Sequence, residues 1–181
     1  PWATAGPGNL LPQQDGRGID SGDSRVGNAV FRNDHVYYAQ TIGMPPTPGA
    51  GFVLRTGVQW VELDTSGNFV QGGRLDDKLA LPWNGRHMYA FPTVAVNARN
   101  DLLLGFSEFQ SSDFVDAGYA YRAGTDPPGT LRTPVTLKDV SISNLSVNHD
   151  VSLLTFCRSV EEMGRTAGMT RYCRRVETVL L

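Results

Sequence analysis

Six side chains in this sequence have the chemistry to grip a sugar or a carboxylate: Asp23, Arg25, Arg86, His87, Glu108 and Asp113. Arginine offers a planar fork of N–H donors, aspartate and glutamate accept protons from hydroxyls, and histidine carries a proton either way near neutrality. A pair of carboxylates would also suit glycoside hydrolysis, which needs two carboxyl groups at a set separation with one pKa raised. Spacing along the chain does not give that separation, so no catalytic residue is assigned. His35, His87 and His149 stand apart, with no Cys or second His at a ligand spacing, and no metal site is expected. Asp20, Asp23, Asp76 and Asp77 carry the oxygens that calcium prefers, but strand-end aspartates that cap their own turns explain them more cheaply. No Gly-x-Ser-x-Gly elbow, phosphate loop or Cys-x-x-Cys pair occurs, and no cofactor is expected. The plainer account of all six polar residues is that loops are wet.

Those residues must be held by strands, because the chain is punctuated by 20 glycines and 11 prolines. "AVFRNDHVYYAQTIG" is an apolar run, an Asn-Asp turn and a second apolar run, and "TVAVNARNDLLLGFSEF" repeats that grammar. In the first unit strands are expected at Ala29 to Phe31, Val36 to Ile42, Val58 to Leu63 and Phe69 to Leu75. In the second they are expected at Val94 to Val96, Leu102 to Phe109, 117–123 and 130–139, with Trp60 and Tyr119 at matching third-strand places. "VQWVELD" alternates Val58, Trp60 and Glu62 against Gln59, Val61 and Leu63, the period of a strand covered on both faces. Asn33-Asp34 answers Asn100-Asp101, and Ile19-Asp20 matches Leu75-Asp76 as the last strand of an earlier unit.

Four hairpin-connected strands per repeat, with the outer strand of one unit leading into the inner strand of the next, is the grammar of a β-propeller blade. The expectation is an all-β partial propeller of about two four-stranded antiparallel blades. Residues 1–28 would hold the end of a preceding blade and an inter-blade loop, 29–77 a blade, 78–92 an inter-blade loop, 93–139 a blade, and 140–181 a divergent tail. An antiparallel sandwich with a coincidental repeat is the alternative. In a propeller the loops between strands two and three, and those between blades, form the ligand face. Here they are "SGDSRVGN", "GMPPTPGAGFVLRTG", "DDKLALPWNGRHMYAFP" and "EFQSSDFVDAG", which contain the six polar residues. A ring needs four to eight blades, and the chain begins at Pro1. It therefore reads as a processed product, a piece of a longer chain, or part of an oligomeric ring that self-associates through open blade edges.

Forty per cent hydrophobic and 19% charged residues describe an ordinary globular chain. A net charge of -2 leaves no electrostatic footprint for nucleic acid, and no apolar run reaches the 18 residues of a membrane span. The tail reads as a helix from about Val160 to Leu181, or as the product of a changed reading frame near residue 140. Cys157 and Cys173 lie within it, spaced either for a disulfide or as two free thiols, and Asn144 begins a glycosylation pattern.

"DSGDSRVGNAVFRNDHVYYAQTIG", "VQWVELDTSGNFVQGGRLDD", "FPTVAVNARNDLLLGFSEF" and "DPPGTL" resemble secreted bacterial propellers of the sialidase-like, BNR-repeat kind, over roughly residues 10 to 139. The Asp-box of true sialidases, Ser-x-Asp-x-Gly-x-x-Trp, is absent, and no three arginines match that family's carboxylate clamp. The resemblance implies a secreted or extracytoplasmic module that binds a glycan or a protein. Its alternative implication is part of a glycoside hydrolase or lyase whose site needs further blades.

Overall fold

A computed structural model describes residues 9–48 and 50–137. Its regular elements are the strands β1 (Val26–Arg32), β2 (His35–Met44), β3 (Arg55–Asp64), β4 (Phe69–Leu75), β5 (Met88–Val96), β6 (Leu102–Phe109), β7 (Asp116–Arg122) and β8 (Val135–Leu137). The protein is all-β, and the described residues contain no helix. The strands make two four-stranded sheets, β1-β2-β3-β4 and β5-β6-β7-β8, in which every neighbouring pair is antiparallel. The tail expected to be helical, Cys157, Cys173, Asn144 and His149 lie outside the described residues.

Two strands differ most from their expected bounds. The first strand of the second sheet starts at Met88 rather than Val94, because a bulge carries it through Pro92. Ala90 pairs with Ser107 and Thr93 with Gly105, so Phe91 and Pro92 together face one residue of β6. The missing N–H of proline is tolerated at such a bulge. Phe91 has φ 53, uncommon for an aromatic residue, and its N–H donates to Thr41 Oγ1 at 3.0 Å. β8 (Val135–Leu137) starts at Val135 rather than Thr130, since Pro134 has no donor for the ladder.

Registers repeat between the sheets. Ala39 pairs with Trp60 and Thr41 with Val58, as Gly105 pairs with Tyr119 and Ser107 with Ala117. The first hairpin turns on Asn33 and Asp34, both left-handed at φ 50 and 60, the conformation that a two-residue type I′ turn requires and that Asn and Asp adopt most readily. The matched turn in the second sheet touches it: Asn33 Nδ2 donates to Asn100 Oδ1, and to the Ala98 carbonyl at 3.2 Å.

The sheets pack face to face. Tyr37, Ala39, Val58 and Trp60 from the first meet Tyr89, Val94, Val96, Leu102, Leu104, Phe106 and Ala120 from the second in one buried cluster. Alternation along each strand places these residues on one face per sheet. Along the inner strands the Asn28 amide donates to the Val94 carbonyl and accepts from the Val94 N–H, both at 3.0 Å, so a side chain imitates a strand pair between β1 and β5. Trp60 is fully buried, with the Arg122 guanidinium 5.9 Å from its ring centre.

A second cluster lies on the opposite face of the second sheet, where Leu11, Ile19 and Ala80 cover Met88, Ala90 and Phe109. Ile19, expected in the outer strand of an earlier unit, makes a single antiparallel bridge with Leu11. The arm folds back because Leu11 is entirely buried only when laid against Phe109 and Met88.

Close approach at the seam requires glycine. A Cβ on Gly73 would stand 2.5 Å from both the Gly129 carbonyl oxygen and Trp60 Nε1. We therefore expect Gly73→Val to lower the unfolding free energy measured by urea titration about as strongly as Trp60→Ala, each by roughly 3–5 kcal/mol. Gly67→Ala, at an open turn with φ 81, is expected to cost far less, about 1 kcal/mol.

Candidate functional site

Antiparallel order puts the loops before β1, between β2 and β3, between β4 and β5 and between β6 and β7 at one end of the sheets. The six sequence-derived candidates all lie in or beside these loops, but the structure divides them. Asp23 and Arg25 meet each other, with 2.6 Å between Asp23 Oδ2 and Arg25 Nε, while Asp23 Oδ1 accepts the Arg25 N–H. Asp113 caps its own turn through the Phe114 N–H and lends its carbonyl to Gln14 N–H. Arg86, His87 and Glu108 are the three that gather, where the seam opens onto the loop end.

Glu108 is the buried anchor of this group. Alternation on β6 turns it to the seam, beside its cross-strand partner Tyr89, and Thr136 Oγ1 donates to its Oε2 at 2.8 Å. His87 Nδ1 stands 2.6 Å from Glu108 Oε1, close enough for an ion pair but not aligned as a hydrogen bond. The imidazole lies nearly parallel to the Tyr89 ring, which is packed edge-on against Phe106. Burial and then the charge of Glu108 push the Tyr89 phenol up to about 12.

The second half of the group is a braced loop. Arg86 Nε donates to Asp77 Oδ2 at 2.7 Å, and Asp77 Oδ1 accepts the Leu79 N–H. Burial works to raise the Asp77 pKa, but the bonds from Arg86 and Leu79 and the nearby Arg86 and His87 charges outweigh it, holding the carboxyl below its ordinary value. Behind it Arg55 donates to Asp76 Oδ2 at 2.8 Å and to the carbonyls of Pro45 and Asp77. This half-buried pair fastens the loop after β2 to the loop after β4.

The aspartates considered for calcium are committed elsewhere: Asp20 accepts the Gly22 N–H, Asp23 serves Arg25, Asp76 serves Arg55 and Asp77 serves Arg86. Among the described residues no group of three or more His, Cys, Asp or Glu is placed to hold a metal ion.

Sequence reasoning missed Arg55, Asp77 as a partner for Arg86, Tyr89 and Trp83. Trp83 stands exposed in the same loop as Arg86. An aromatic residue in a loop rich in turn formers was the available signal, "LPWNG".

The arrangement presents paired charges at the mouth of an apolar seam, able to donate and accept hydrogen bonds together. No family model matches the chain, and no curated protein or solved structure matches it either. Among the described residues no helix is long and apolar enough to cross a membrane.

The pH dependence follows from the shifts. The lowered Asp77 pKa adds stability that is fully present above its unfolded value, about 4, and is lost as pH falls through the folded value. The raised Tyr89 pKa adds stability that is complete below about pH 10 and is lost as pH rises toward about 12. Urea midpoints measured across pH should therefore fall at both ends, with Asp77→Asn flattening the acid limb and Tyr89→Phe the alkaline one. Unchanged limbs in both variants would refute the assignment.

Proposed function

We propose that the two sheets are adjoining blades of a β-propeller of the sialidase-like, BNR-repeat kind, acting outside the cytoplasm as a glycan- or protein-binding module. The observation that carries the proposal is the gathering of Arg86–Asp77 and His87–Glu108 at the loop end of the inter-sheet seam. Arg86 and the His87 imidazole each lie against a carboxylate, so the site offers donors and acceptors without a surplus of positive charge. Hydroxyl-rich ligands match that balance, since every sugar hydroxyl both donates and accepts. A polyanion would meet the Asp77 and Glu108 carboxylates as well as the cations.

A second reading follows from the His87–Glu108 contact. An imidazole beside a buried carboxylate is the arrangement of a general base and its orienting acid, which fits a hydrolase or lyase completed by further blades.

Binding to immobilised glycans beside a turnover assay on the same glycans separates the two. The binding-module reading expects retention without turnover, reduced at least about fivefold in Arg86→Ala and His87→Ala. Turnover abolished by Glu108→Gln would establish the enzymatic reading instead. Failure to bind any glycan or protein would remove both.

A further inference from the structure

We propose that Trp83 is a stacking platform for the apolar C–H face of a neutral pyranose sugar. The inference rests on the glycan-binding reading above and names the ligand class and the residue that meets it. Trp83 leaves 67% of its surface in water and Leu79 leaves 66%, although both belong to a loop that buries Ala80 in the second core cluster. Exposing a residue of this size forgoes the gain of burying it, so an exposed Trp in a braced loop offers a ring for a ligand to stack on.

The loop holds the ring ready. Ala80 N–H donates to the Asp77 carbonyl and Asn84 N–H to the Leu81 carbonyl. The Asn84 side chain accepts from Leu81 N–H and donates to the Leu79 carbonyl, bracing the segment from within. Gly85, at φ 66, then turns the chain, and its N–H donates to Ser111 Oγ at 3.0 Å, tying this loop to the one after β6. A pre-ordered aromatic loses little entropy when a ligand stacks on it.

Polar chemistry within a few residues completes the match. Arg86 leaves about half of its side-chain surface in water while its Nε is held by Asp77. That leaves guanidinium N–H groups toward water for ring hydroxyls. Asp77 and Arg86 cancel in charge and Glu108 adds a buried carboxylate beside His87, so nothing in the group favours an anionic sugar over a neutral one. A hexose presents one face of axial C–H groups and a rim of hydroxyls, the counterpart of an exposed ring whose loop also carries hydrogen-bonding side chains.

The test compares the full chain with its Trp83→Ala and Trp83→Phe variants. The probes are immobilised cello-, xylo- and galacto-oligosaccharides and sialylated glycans, with tryptophan fluorescence as a second readout. The expected result is binding to at least one neutral series with a shift of the exposed tryptophan emission. Trp83→Ala should weaken it at least about tenfold and Trp83→Phe by only about threefold. Unfolding midpoints should be unchanged in both, because the ring is at the surface. If Trp83→Ala bound neutral sugars like the wild type while Arg86→Ala did not, the platform would be refuted and the glycan-binding reading would stand. Preference for sialylated glycans would refute the neutral-sugar assignment. Sedimentation with phosphatidylcholine–phosphatidylglycerol vesicles that depends on Trp83, without sugar binding, would refute it in favour of a lipid anchor. Absence of any glycan binding by the wild type would refute both readings together.

Discussion

The face-to-face contact of the two sheets is the constraint on which the rest of the molecule depends, and Trp60 is at its centre. The indole is fully buried between Gly73 of its own sheet and the Arg122 guanidinium of the other. Its Nε1 and the Arg122 Nε have no hydrogen-bond partner, a cost of about 1–3 kcal/mol for each orphaned donor. Apolar burial over a cluster drawn from both sheets outweighs that cost. A single sheet would leave its own face of this cluster in water, so each repeat gains most of its core from its neighbour.

Polar contacts then set how the sheets are aligned. Toward one end, Tyr37 donates to buried Glu62, Gln71 donates to the other Glu62 oxygen at 2.6 Å, and Gln71 in turn accepts the N–H of Gly129 from the second sheet. This chain of hydrogen bonds leaves the Glu62 carboxylate compensated and allows no slip of one sheet along the other. Burial first, and then Glu62, push the Tyr37 phenol well above its ordinary range. The Asn28 amide does the same service along the inner strands. Alignment matters because it delivers the loop after β4 against the ends of β5 and β6, where Asp77, Arg86, His87 and Glu108 converge. Function is thus proposed where two loops and the seam share a boundary.

The outer rim shows a different economy. Arg132 forks onto both Asp126 oxygens at 2.8 and 3.0 Å and lies over Tyr121, and the Asp126 carboxyl also accepts the Ala123 N–H. These bonds hold the Asp126 pKa down at about 2. They fix the loop that carries Gly129 into the seam, so an exposed ion pair has a structural consequence through what it positions rather than through its own energy.

Period-two alternation, turn chemistry and the repeated Asn-Asp grammar were sufficient to read an all-β chain of two four-stranded units, because these signals are local and a strand's side chains alternate whatever lies beyond them. Asn33-Asp34 announced its own turn, and Trp60 its own burial. The same local signals failed where the cause was distant. Pro92 hid the first half of β5, since the bulge at Phe91 is held by contacts distant in sequence, the Thr41 hydroxyl and the Phe109 ring, and the buried arm at Leu11 had no pattern of its own. For the site, residue type flagged Arg86, His87 and Glu108, but equally Asp23, Arg25 and Asp113, which turned out to serve their own turns. What separated them was tertiary: Glu108 and His87 lie 21 positions apart and Asp77 and Arg86 nine apart, and which carboxylate meets which cation depends on how two sheets stack. Linear spacing carries no information about the distance across a seam, because that distance is fixed by the volume of the side chains packed inside it.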